Sequence, residues 1–381
     1  MNQVKVSELQ AGTKFNKPVF VDETNLFVPE DVEIRQKDIE RLQKWGVDFV
    51  RTEGEVVTAS STLQQTAEAI ANILDLKGSP ELLQVHKSAV IQTNRVFNEI
   101  QFNRQVERQE IDRIVEKIEI ASVDSPDQMT AFVFRSDQAD PTFGVSAVNC
   151  TILAVILGVN LKMDQKRLRT LSTGALLHDI GMVKVPESIV KKKSDLIPEE
   201  VKRIKTHTLY SYQIITKQLG YSEEVGIPAL QHHERWDGKG YPRALSGRGI
   251  ALEARIVSVT DAFEAMVREK PYRSSMIGYS AMRQILNDNS RRFDSEILKV
   301  FIKGIGIYPV GSFVLLNNGI VGRVIKVNVG APLRPAIKLL VDAQGQKYLN
   351  NEGEIIDLSD DSGLFIARAI DPKAITPKKK G

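Results

Sequence analysis

LSTGALLHDIG, residues 171–181, decides the fold. Leu168, Leu171, Ala175 and Leu176 recur at helical spacing, so the stretch reads as an amphipathic helix that stays apolar up to His178 and Asp179. A polar pair at the end of such a stripe points into a core. Working outward, Pro198-Glu199-Glu200 opens a second helix, since proline suits the first turn and acids suit its positive end. That helix is expected to carry His207. Ser222 is read as the cap of a third helix, which ends at His232-His233. A fourth, from about Ala251, carries Asp261.

Histidine is scarce, with five in 381 residues, and four of them fall between 178 and 233. Several imidazoles and two carboxylates in one helical core are costly unless something compensates them. A divalent ion does so, because neutral imidazole and carboxylate are its natural ligands. His178, Asp179, His207, His232, His233 and Asp261 are therefore expected to converge on metal. Adjacent ligands such as His178-Asp179 suit two ions about 3.5–4 Å apart, able to activate water for in-line attack on a phosphodiester. The remaining histidine, His86, is read as non-ligating.

Composition bounds the alternatives. The hydrophobic fraction is 42% and the charged fraction 26%, ordinary for a chain with a real core. The longest apolar candidate, Thr151 to Leu161, is too short to span a bilayer and reads as a core helix, so no membrane is expected. The N-terminus lacks the basic and apolar regions of a secretory signal, so the expected location is cytoplasmic. Cys150 stands alone, which excludes an internal disulfide and a thiolate metal site. Net charge is +3 and aromatics are 6%, which argues against a nucleic-acid polymer as partner. Lys191-Lys192-Lys193 and Lys378-Lys379-Lys380 read as a solvated helix end and a frayed tail.

The fold class read from this is mainly α: a helical bundle with a small N-terminal α/β module and a small C-terminal β-rich unit. Residues 1–58 form the module, with short β-like runs, turn signals at Gly12 and at Asp22 to Asn25, and apolar Ile34, Ile39, Leu42 and Trp45 on one helix. Residues 59–125 are a helical connector, broken at Gly78-Ser79-Pro80 and overlapping the first helices of a metal-binding domain at 85–305. The connector helices could pair two chains, so a homodimer is one expectation and signalling-protein partners another. A loop is expected from Ser122 to Pro141, then helices from 145 to 304. Residues 306–371 hold β-rich runs around a hairpin signal, Asn317-Asn318-Gly319, and 372–381 are a basic disordered tail.

HDIG at 178–181 and HHERWDGKGYP at 232–242 resemble the two signatures of the HD-GYP family. That family is a branch of the HD-domain phosphohydrolases, known for hydrolysing the bacterial second messenger cyclic di-GMP. VPESIVKKKSDLIPEEVKRIKTH and ARIVSVTDAFEAMVREKPYR resemble its intervening stretches, and the likeness runs from about residue 85 to 305. It implies an HD-type helical bundle and a cyclic di-GMP phosphodiesterase yielding the linear dinucleotide and GMP. His178, Asp179 and Asp261 would serve one ion, with Asp179 bridging, and His207, His232 and His233 the other. His178 and Asp179 would be catalytic. Gly240, Tyr241 and Pro242 would shape the nucleotide pocket, and Lys270 and Arg273 would face ligand phosphates. The resemblance favours iron or manganese, while the ligand types also suit zinc.

The chain departs from that pattern at several places. Ser146, in SAVNC, stands where the family usually has a further metal histidine. Thr142 stands where some members have a glutamate for a third ion. Met182 replaces a lysine directed at phosphate, with Lys184 two residues on. Lys270 stands for a usual arginine and Glu264 for a usual aspartate. These departures set a catalytically impaired cyclic di-GMP sensor, or a protein-interaction scaffold, beside the enzyme reading.

Overall fold

The structure is a computed structural model that describes residues 2–9, 13–15, 17–22, 25–29, 32, 34, 36–54, 56–57, 79–134, 142–192, 194–268, 278–288, 291–346, 348 and 353–370. It divides into two compact units, Met1–Ile73 with Pro372–Gly381, and Leu74–Asp371.

In the first unit β1 (Asn2–Lys5), β5 (Phe49–Thr52), β3 (Val19–Phe20) and β4 (Leu26–Val28) form one antiparallel sheet in that order. β2 (Lys14–Phe15) pairs separately with β6 (Val56–Val57). Helix α1 (Gln36–Lys44) buries Ile39 and Leu42, while Ile34 is buried just ahead of it. Trp45 does not join them. It is 60% exposed, with Arg41 lying 5.4 Å over its ring. Six residues on from Ile39 is about 240° around a helix, well off the buried face.

The second unit opens with α2 (Pro80–Gln101), where Ser79 caps the first turn and Pro80 fills the first helical position. Then come α3 (Arg108–Asp124) and α4 (Pro126–Val133). The last of these lies inside the expected loop from Ser122 to Pro141. Polar Ser125, Pro126 and Asp127 suggested a loop, but they occupy a helix start, and Met129, Phe132 and Val133 behind them are buried in the core. Residues 135–141 of that stretch, the connector residues 58–78, Lys193 and the basic tail lie outside the described residues.

Helix α5 (Phe143–Asn160) is the centre of the bundle, buried on nearly every side. By length and composition it could cross a membrane, which the reading of Thr151 to Leu161 alone understated. Its buried environment accounts for this, since a helix that is packed all round is apolar all round. Around it stand α6 (Gln165–Leu177), α7 (Glu187–Val190), α8 (Pro198–Lys205), α9 (His207–Gln213), α10 (Glu223–Gln231), α11 (Leu252–Val267), α12 (Gly278–Asn287) and α13 (Ser295–Ile305). Lys191 and Lys192, at the end of α7, pair with Glu187 and Glu200.

Five antiparallel strands close the unit: β7 (Phe313–Leu316), β8 (Val321–Lys326), β9 (Ala336–Val341), β10 (Ile355–Asp357) and β11 (Ile366–Ile370), in the order β10-β9-β8-β7-β11. β7 and β8 form the hairpin expected at Asn317 to Gly319, with Gly319 at φ +87°. Val314, Leu316, Val324 and Ile337 share a core with Ala131 of α4 and Tyr308.

Candidate metal centre

His178, His207 and His232 stand at helix ends, whereas Asp261 lies inside α11. His178 follows α6 directly, and its Nδ1 donates to the Ala175 carbonyl at 2.7 Å. The helix opened by Pro198 stops at Lys205, so His207 is not inside it but is the first residue of α9. His207 Nδ1 donates to the Ile204 carbonyl at 2.7 Å. His232 follows α10, and its Nδ1 donates to the Ala229 carbonyl at 2.9 Å. A carbonyl only accepts, so all three rings carry their proton on Nδ1 and turn the Nε2 lone pair inward.

Those Nε2 atoms meet around Asp179. Its Oδ1 lies 3.1 Å from His207 Nε2 and 3.6 Å from His232 Nε2, and its Oδ2 lies 3.6 Å from His178 Nε2. His178 Nε2 is also 3.6 Å from Asp261 Oδ1, and the Nε2 atoms of His207 and His232 are 3.4 Å apart. The six expected residues thus gather as two overlapping groups: Asp179, His207, His232 and His233, and then His178, His232 and Asp261. His232 is near both.

The donor set fits divalent ions. His178 Nε2 and Asp179 Oδ1 are buried without an aligned hydrogen-bond partner. Contacts of 3.6 Å are long for hydrogen bonds, but ligands each ~2.0–2.2 Å from one ion normally stand about 3–4 Å apart. The electrostatics agree. Burial disfavours a charged His178, but the Asp179 and Asp261 carboxylates outweigh it and raise its pKa to about 9. Burial likewise opposes charge on His207, and Asp179 overrides it to raise its pKa. Burial pushes Asp179 up, yet His178, His207 and His232 hold it well below the usual carboxylate range. Burial and the neighbouring imidazoles depress His232 and, further, His233. A proton shared in this way marks the place a metal cation would take.

Two glycines make the approach of these elements physically available. At Gly181 a Cβ would collide with the His207 carbonyl and the Ser211 amide, so only glycine lets the turn after Asp179 touch the start of α9. The Gly181 amide donates to Ser211 Oγ at 2.8 Å. At Gly240 a Cβ would strike the backbone of Glu234 and Arg235. Buried Glu234 accepts from the Arg243 and Leu245 amides at 2.7 and 3.0 Å, which folds the Gly240-Tyr241-Pro242 loop back over the histidines. The Tyr241 ring lies 4.8 Å from that of His233, and Lys205 Nζ lies 4.9 Å from the centroid of the same Tyr241 ring.

Ser146 does not face the ligands as a donor. Its Oγ donates to buried Glu264 at 2.6 Å. Thr142 precedes α5 without capping it, and its Oγ1 accepts from Asn94 Nδ2 at 2.9 Å. Lys184 turns away, donating to Asn103 Oδ1 at 2.7 Å, so it does not take the place of a lysine at Met182. His86 is buried against Phe132, with Nε2 3.0 Å from Asn149 Oδ1, outside both ligand groups. Lys270 and Arg273 lie outside the described residues.

A cavity of about 370 Å³ opens on the centre, lined by Ser146, Asp179, His233 and Asp261 together with Arg268 and Arg292. Sequence reading missed both arginines. Arg268 was legible, being seven residues after Asp261 and so on the same helix face. Arg292 had no local signal. It arrives because the Trp236 and Asp237 amides donate to the Arg292 and Arg291 carbonyls, each at 2.9 Å.

Comparison with known proteins points the same way. Residues 133–297 match the HD domain family, and residues 313–378 match a KOW domain associated with HD domain. The chain is 25% identical over 350 residues to cyclic di-GMP phosphodiesterase PdeB of Borreliella burgdorferi, covering 92% of this chain and 88% of that one. It is 26% identical over 338 residues to cyclic di-GMP phosphodiesterase PA4108 of Pseudomonas aeruginosa, covering 85% and 80%. Among solved structures it resembles Bd1817, a HDG"Y"P protein from Bdellovibrio bacteriovorus, at 17% identity and a TM-score of 0.44, covering 79% of this chain and 97% of that one.

Proposed function

We propose that this chain, an HD-domain protein in its HD-GYP form, is a metal-dependent phosphodiesterase that opens cyclic di-GMP to the linear dinucleotide, with GMP as the alternative end product. The observation that carries the reading is the position of Asp179. One carboxylate oxygen faces His207 and His232 and the other faces His178, so a single side chain joins two ligand groups. His207, His232, His233 and Asp179 would hold one ion, and His178, Asp261 and Asp179 the other. Bound there, divalent iron or manganese supplies Lewis-acid activation of water and of phosphoryl oxygens.

The protein's own groups do the rest. The Nδ1–carbonyl bonds hold three imidazoles in one tautomer and one orientation before substrate arrives. Tyr241 packs against the His233 ring and limits its movement. The cavity admits a phosphodiester to the face of Asp179 and Asp261, where both are half-buried. Cyclic di-GMP carries two such diesters, each singly negative, which suits a cationic wall.

A second reading, binding without turnover, is favoured by the engagement of Ser146 with Glu264 and by apolar Met182. One experiment separates the two. The protein is purified with manganese or iron, metal per chain is counted, and cyclic di-GMP is added while products are resolved by chromatography. Two ions per chain and release of the linear dinucleotide support the enzyme. Tight binding with no product supports the sensor, and protein that holds no metal at all overturns the proposal.

A further inference from the structure

Three side chains that the metal centre does not use are linked beside it. Glu264 is fully buried. Its Oε2 accepts from Ser146 Oγ at 2.6 Å, and its Oε1 lies 3.3 Å from Arg268 Nε. Arg268 Nη1 also donates to the Thr142 carbonyl at 3.4 Å. Glu264 and Arg268 follow Asp261 at i+3 and i+7, on one face of α11.

A buried carboxylate costs several kcal/mol unless it is paired and hydrogen-bonded. Here Ser146 and Arg268 meet that need from opposite sides. The consequence for Arg268 is the functional one. A free arginine side chain samples many rotamers, whereas this one is ion-paired with Glu264 through Nε and hydrogen-bonded through Nη1 while it lines the cavity. Arg292 lines the same cavity and has no carboxylate partner among the described residues. Asp288, one turn before it, also lines the cavity, yet forms no ion pair with Arg292. Two guanidinium groups therefore line the same cavity as Asp179, His233 and Asp261.

We propose that Arg268, positioned by Glu264 and Ser146, and Arg292 bind the non-bridging oxygens of the substrate phosphodiester beside the metal centre. They supply the positive charge that Met182 does not. A guanidinium fork matches two phosphate oxygens in a way that one ammonium does not. Glu264 and Ser146 are positioning residues in this account: they fill the place of a ligand with a strut. The inference rests on the reading that the substrate is a phosphodiester.

The test measures binding as well as turnover. Affinity for cyclic di-GMP and for bis(p-nitrophenyl) phosphate, a generic phosphodiester, is measured on chelator-treated and manganese-loaded protein. Arg268→Gln, Arg268→Lys, Arg292→Gln and Glu264→Gln are compared with wild type and with Arg283→Gln, an exposed arginine on α12 outside the cavity. Arg268→Gln and Arg292→Gln are each expected to weaken binding roughly tenfold or more even without metal, leaving metal content unchanged. In the loaded enzyme KM should rise more than kcat falls, since phosphate is bound in both ground and transition states. Arg268→Lys should fall between, keeping charge but not the fork, and Glu264→Gln should weaken binding less. Wild-type affinity in Arg268→Gln and Arg292→Gln, while wild type binds cyclic di-GMP, overturns the inference and leaves the proposed function standing. Binding of the generic diester alone, lost in Arg268→Gln, supports the inference and sinks cyclic di-GMP as substrate. Wild type that binds neither probe overturns both. If Arg268→Gln fails to fold, Arg268→Lys and Arg292→Gln decide, and wild-type affinity in both overturns the inference.

Discussion

On one side of Asp179, His207, His232 and His233 supply three imidazoles. On the other, His178 and Asp261 supply one imidazole and one carboxylate, with His232 shared. The first side is assembled from the ends of α8 to α10, where backbone carbonyls set two of the rings. The second side ends in a wall that satisfies itself. Ser146, Glu264 and Arg268 bond to one another rather than offering a donor atom. A neutral hydroxyl is already a poor ligand for a transition metal, and one committed to a carboxylate is poorer still. One carboxylate thus stands between two donor groups of unequal strength, three imidazoles against one imidazole and one carboxylate.

The harshest way to break the comparison is to remove what the two sides share. Asp179→Asn is expected to cost both positions metal, and to lower turnover by more than the ~100-fold that loss of an outer partner typically costs a metal site. Metal per chain by elemental analysis, alongside product formation, checks it. Next come the sides taken singly. His178→Ala should leave a protein that keeps one tightly held ion, whereas His207→Ala should lose that tight ion. Chelator competition should show two phases of release in wild type and only the slow phase in His178→Ala.

A gain is expected from rebuilding the weaker side. Ser146→His alone meets Glu264 in the space it needs, so its benefit should be small. Combined with Glu264→Asp, which withdraws the carboxylate by one methylene, it should raise affinity at that position by roughly tenfold or more, the scale on which metal sites respond to their supporting groups. Equal affinities in the single and double variants would show that Glu264 does not block the position.

Per pH unit, the gentlest expected effect is on pH dependence. His178 has its pKa raised to about 9 in the metal-free protein, above the ordinary value of 6.5. Its protonated form therefore stabilises the metal-free fold fully below about 6.5, and that contribution is lost as pH rises through about 9. Metal competes for the same Nε2, so affinity at the His178 side should climb up to about tenfold per pH unit between those values and then level. Calorimetric titration in two buffers of different ionisation enthalpy should show a proton released on binding. A pH-independent affinity would show that His178 is already neutral.

Much of this was legible because it is local. The stripe of Leu171, Ala175 and Leu176 announces its helix, and the helix announces that His178 points inward. Gly181 and Gly240 sit in the two motifs because neighbouring backbone leaves no room for a Cβ, but the sequence does not say which backbone. Misreadings came where composition spoke against packing. Ser125-Pro126-Asp127 resembles a loop until Met129 and Phe132 are seen to be buried, and Trp45 looks like core until the helix phase is counted. Arg268 was within reach of the same counting from Asp261.

The sequence by itself determined which residues could ligate metal, their order along the chain, the helical class and the absence of a histidine at Ser146, since residue identity and 3.6-residue periodicity carry all of these. Only the tertiary structure decided that Asp179 lies between two groups of donors, that His232 serves both, that Ser146 is spoken for by Glu264, and that Arg292 reaches the cavity. The reason is one of distance. Spacing along the chain sets which side chains share a helix face, but contacts between helices over a hundred residues apart, such as Ser146 with Glu264, exist only once the core has packed.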